Sequence, residues 1–143
     1  MLTSRLIASH AAILLLVHDI VEIDAGDAPI HAGGVLRTEL ETAEREAAER
    51  IFGLLPAEQA ARFRDMWLEF EAGQSAEARF AKALDRLQPL LLNIKVGGGT
   101  WRENGVSEQE VVERYGSAIK GGSTTLWRAA RDLIRAHFDG TPS

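Results

Sequence analysis

His18 and Asp19 are adjacent, Glu22 follows His18 by four residues, and Asp27 lies just past Gly26. A neutral imidazole and a carboxylate are both competent ligands for a divalent ion. On a helix, adjacent side chains point about 100° apart, so His18 and Asp19 converge only on an ion lying over the space between them. Glu22 shares the His18 face one turn along and overhangs the same pocket. Asp27, in a loop after the helix, can turn back toward it. The chemistry open to such a set is metal-assisted. A divalent ion lowers the pKa of water, and a carboxylate beside it accepts or returns a proton. A His-Asp pair is also common on solvated helix ends. Placement separates the two readings: the apolar run Ala11 to Val17 leads straight into the pair, and Ile20-Val21 follow it. A semi-buried carboxylate there needs a partner, or it must neutralise.

Asp85 extends the set. Ala78 and Ala81 precede it on one helical stripe, and small residues allow a second helix to approach closely. An ion pair from Asp85 to Lys82 or Arg86 accounts for its position equally well. Arg79, Lys82 and Arg86 flank Asp85 as cations for a phosphate, or as a solvated face. Among the histidines, His10 precedes His18 by eight residues, roughly 12 Å of axial rise, and is read as packing or surface. His31 is a loop histidine, and His137, near the C-terminus, is expected to be solvated. Trp67 and Trp127 read as core, whereas Trp101 falls in a polar stretch and covers either a pocket or a subunit contact.

The elements that must position these residues are helical throughout. β-branched alternation is absent and helix-favouring residues dominate. A first helix is expected from about Thr3 to Asp24 as a buried core element, ended by Gly26 and Pro29, and a second from Val35 to about Leu55. Pro56 opens a third that stops at Gly73. Ser75 caps a fourth, which Pro89 should bend and Gly97-Gly98-Gly99 should end. Thr100 to Gly105 reads as a polar loop. Ser107 with Glu110 forms a capping box for a short helix to about Lys120, and Ser123 caps the last, to about Phe138.

Composition narrows the functional classes. The chain has 143 residues, enough for one domain, and a formal net charge of -5, which argues against a nucleic-acid surface. It has no cysteine, so thiolate metal sites and cysteine nucleophiles are excluded, and any metal site must use His, Asp and Glu. Arg5 ahead of the apolar run gives a weak signal-like pattern, but acidic residues stand where a cleavage site would be. The run is too short to span a membrane.

The segment from His18 to Asp27 resembles the core motif of the HD-domain hydrolases, in particular their bacterial 5'-deoxynucleotidase-like branch. Lys82 to Leu90 is similar to that branch's distal aspartate segment, and Thr100 to Val106 to a stretch common in its bacterial members. The resemblance runs from about Ser4 to the C-terminus. It implies an all-α fold, an HD-domain bundle of orthogonally packed helices, with residues 1–143 forming one domain that lacks the family's N-terminal helix or helices and the histidine they carry. It further implies one divalent ion (Mn, Co, Mg, Zn or similar) held by His18, Asp19 and Asp85. Glu22 would be the acid/base group, Asp27 would position water or the sugar phosphate, and Arg79 and Lys82 would contact substrate. The expected activity is hydrolysis of small phosphate monoesters, chiefly (deoxy)nucleoside 5'-monophosphates, by a cytoplasmic homodimer bound to neither nucleic acid nor membrane. The alternative is a non-catalytic or weakly active helical protein that binds metal or nucleotide and works through self-association.

Overall fold

The computed structural model describes residues 6–25 and 35–140. Among them there are seven helices and no strand: α1 (Ala8–Ala25), α2 (Val35–Phe52), α3 (Ala57–Ala72), α4 (Ala76–Lys95), α5 (Gly99–Glu103), α6 (Glu108–Gly122) and α7 (Thr124–Phe138). None of the described helices is long and apolar enough to cross a membrane. The chain divides into two compact units, Met1–Ala78 and Arg79–Ser143.

In the first unit α1 packs on α2 and α3, which also pack on each other. The chain enters α1 through Ile7, whose N–H donates to Glu77 Oε1 at 3.1 Å and whose carbonyl accepts from His10 and Ala11. The helix therefore opens at Ala8, later than the Thr3 expected. Its inward stripe is Ala11, Leu14, Val17 and Val21, all buried. Val17 and Val21 join Ala47, Ala48 and Phe52 of α2 and Trp67 of α3 in one core cluster. Burial of each large side chain there contributes about 1.5–3 kcal/mol. The first helix is not buried all round, as its apolar run suggested: Ile13, Leu16, Ile20 and Ile23 form an exposed stripe. α3 follows Pro56, which occupies the N-cap, and ends on Gly73 in the left-handed conformation, φ 62°.

In the second unit the local stop and start signals behave as the sequence reads. Gly97, Gly98 and Gly99, all at positive φ, close α4. Ser107 and Glu110 form a reciprocal capping box on α6, and Ser123 Oγ accepts from Leu126 N on α7. α6 and α7 pack together, and Gly116 gives Trp127 room: a Cβ at Gly116 would stand 3.0 Å from the indole. Thr100 to Gly105 is mainly the short helix α5 instead of a loop, and Trp101 is 2% exposed. Its ring stacks on Phe138 and meets Tyr115 and His137 edge-on, at centroid separations of 6.2, 6.0 and 5.9 Å. Trp101 is thus a core residue of its unit, and His137 is half-buried against it where solvation was expected.

Candidate metal centre

The last turns of α1 carry His18, Asp19 and Glu22. His18 directly follows Val17 of the core stripe, so its ring sits at the edge of the core with 12% of its side chain exposed. The ring lies flat on Phe70 of α3, with centroids 4.2 Å apart and planes 21° apart. On one edge, His18 Nε2 stands 3.0 Å from Glu22 Oε1, one turn along α1. On the other, Nδ1 stands 3.6 Å from Glu71 Oε1 of α3. Asp19 projects from the same turn and is exposed, so the pair is half-buried through its histidine alone.

His18, Asp19 and Glu22 each offer a ligand atom, and these atoms lie within 4.8 Å of one another. One imidazole nitrogen and two carboxylates make a donor set of the kind that hard and borderline divalent ions accept, so the residues present fit such an ion. Asp24, two residues beyond, lies outside this set and pairs with the Arg50 guanidinium of α2.

Of the residues singled out from the sequence, the structure brings together His18, Asp19 and Glu22. Asp27 and His31 lie outside the described residues. Arg79, Lys82 and Asp85 belong to the second unit, on α4, where Asp85 and Lys82 are half-buried and Arg79 is exposed. His10 behaves as its spacing implied: its Nε2 pairs with Glu69 Oε2 of α3 at 2.7 Å, a packing contact away from the donor set. Sequence reasoning missed Glu71 and Phe70. Neither carries a local signal, because Phe70 reads as one more apolar position of α3 and Glu71 as its polar neighbour.

Residues 1–127 match a family model described as an HD domain. The chain is similar to 5'-deoxynucleotidase HDDC2 of Bos taurus, at 40% identity over 79 residues, covering 54% of this chain and 38% of that protein. It is similar to the Homo sapiens protein of the same name at 38% identity over 88 residues, covering 61% of this chain and 42% of that one. The chain therefore spans about two fifths of the length of these curated relatives. Among solved structures it resembles a crystal structure titled as a predicted metal-dependent phosphohydrolase from Magnetospirillum magnetotacticum MS-1. The TM-score is 0.85 at 45% identity, covering 97% of this chain and 71% of that chain.

Proposed function

The chain belongs to the HD-domain family, and on that premise we propose that it is a divalent-metal-dependent phosphohydrolase of small phosphate monoesters, with (deoxy)nucleoside 5'-monophosphates as the substrate class. The observation that carries this reading is the meeting of His18, Asp19 and Glu22 at the end of α1. The names of the similar proteins, 5'-deoxynucleotidase and metal-dependent phosphohydrolase, support it. The proposal takes residues 1–143 as one HD-type domain, working in the cytoplasm as a homodimer.

In this reading His18 and Asp19 hold one ion (Mn, Co, Mg, Zn or similar), and Asp85 is the further ligand that the family pattern supplies. A divalent ion at such a site supplies Lewis acidity, lowering the pKa of a nearby water and offsetting phosphoryl charge. Glu22 is the acid/base group: its carboxylate is half-buried beside His18 Nε2 and takes up or returns a proton at Oε1 or Oε2. Asp27 orients the water or the sugar phosphate. Arg79 and Lys82 are cations for the substrate phosphate, and neither needs to lose a proton to serve.

The test is phosphate release from a panel of deoxynucleoside 5'-monophosphates with Mn²⁺, Co²⁺ or Mg²⁺, and with a chelator as control. Release that depends on metal and is lost in Glu22→Gln supports the proposal. A folded protein that releases nothing removes it.

The exposed stripe Ile13, Leu16, Ile20 and Ile23 favours a second reading, a non-catalytic or weakly active protein that binds metal or nucleotide and acts through self-association. Robust metal-dependent turnover by the 143-residue chain eliminates that reading.

A further inference from the structure

An imidazole binds an ion through one nitrogen, and the partner of the other nitrogen decides which one is available. His18 has a carboxylate on each side, and the two are not equivalent. Glu22, at Nε2, belongs to the group whose ligand atoms lie within 4.8 Å of one another; Glu71, at Nδ1, does not. Phe70, next to Glu71 on α3, stacks on the ring face and restricts its rotation. Two consecutive residues of α3 thus grip one residue of α1, by edge and by face, and Gly73 ends α3 just beyond them.

We infer that Glu71 is the positioning residue of the metal centre: it accepts the Nδ1 proton of His18 and so leaves the Nε2 lone pair for the divalent ion. The inference rests on the metal-dependent reading above and adds a residue to it. The 3.6 Å separation is a charge contact, and less than about 1 Å of approach converts it to an N–H···O bond of ordinary length. Side chains that orient metal-bound histidines in this way commonly govern affinity by about 10–100-fold. Phe70 contributes differently, holding the ring plane without choosing the nitrogen.

The experiment is calorimetric titration of the full chain with Zn²⁺, in wild type, Glu71→Ala and Glu71→Gln, together with ¹⁵N NMR of the imidazole nitrogens in the Zn²⁺-loaded protein. The expected result is a loss of Zn²⁺ affinity of about 10–100-fold in Glu71→Ala and a smaller loss in Glu71→Gln, whose amide oxygen still accepts the proton. The loaded wild type should carry the His18 proton on Nδ1. Glu71 has 35% of its side chain exposed, so neither variant opens a cavity, and unchanged circular dichroism checks the fold. Wild-type affinity in Glu71→Ala, equal losses in both variants, or a proton on Nε2 in the loaded wild type overturns the inference and leaves the metal-dependent reading standing. A wild type that binds no Zn²⁺, Mn²⁺ or Mg²⁺ removes both together.

Discussion

Gly122 of α6 lies against the α4 backbone at Arg79, so close that a Cβ on Gly122 would stand 2.4 Å from the Arg79 carbonyl oxygen and 2.5 Å from Ala83 Cβ. Gly121, its neighbour, has open space around the same position. The two glycines look alike in the sequence, and only one is required by packing.

Gly122→Ala therefore overpacks the contact between α4 and α6 and destabilises by about 1–3 kcal/mol. Gly121→Ala removes backbone freedom at no steric cost and stabilises by up to about 1 kcal/mol. Urea unfolding of the two variants beside wild type measures both. Equal midpoints for the pair would refute the contact.

Glu22→Gln keeps the shape of the side chain and removes its capacity to take a proton. The expected outcome is a fall in the rate of phosphate release of roughly 10²–10⁴-fold, the usual contribution of a positioned acid/base group. The fall should appear in kcat, read from initial rates across substrate concentration. A loss confined to KM would move Glu22 from proton transfer to substrate binding.

Asp85 is half-buried on α4, and the proposed function takes it as a metal ligand. Asp85→Ala should abolish stoichiometric metal binding, as should His18→Ala, while Arg86→Ala should leave it unchanged. Metal content by atomic emission after gel filtration distinguishes these outcomes. Full retention of metal in Asp85→Ala would assign that residue to an ion pair with Lys82 or Arg86 instead.

The Glu77 carboxylate is held below its ordinary value of 4.5, first because Ile7 N–H donates to it, with a smaller contribution from nearby His10. A carboxyl whose folded pKa is depressed adds stability above its unfolded pKa and loses it as pH falls through the folded value. The entry into α1 should thus be intact at neutral pH and released only as the pH falls below the ordinary carboxyl value of 4.5. The Ile7 amide proton shift, followed on acidification, should show its inflection below 4.5. An inflection at or above that value would show that the hydrogen bond is not made.

The helix boundaries were legible where the signal is local. Ser75, Ser107 with Glu110, and Ser123 act within three residues of themselves, so their types alone mark the starts of α4, α6 and α7. The clustering of His18, Asp19 and Glu22 was legible for the same reason, since they are neighbours on one helix, whereas Asp85, expected as a ligand, lies on α4 in the second unit. Three features depended on distant residues and were not. The stretch around Trp101 is polar in sequence, yet Tyr115 of α6 and the C-terminal end of α7 close over the indole. The run from Ala11 to Val17 is apolar on every side, so its periodicity does not reveal which stripe, Leu14-Val17-Val21 or Ile13-Leu16-Ile20, turns inward. Glu71 reaches His18 only because α3 folds back along α1, a pairing that no spacing within α3 encodes.

α1 ends with Asp19, Glu22 and Asp24 in its final turns and no basic residue in its last turn. The C-terminus of a helix already carries about half a unit of negative charge from its aligned peptide dipoles, so acids there oppose the helix that presents them. Arg50, reaching over from α2, relieves the field at Asp24, and the His18 ring stands beside Glu22. The end of α1 thus gathers three carboxylates where the helix dipole disfavours them. A divalent cation bound there would relieve the helix as well as the carboxylates, and occupancy of the site would then be coupled to the order of α1's own last turn.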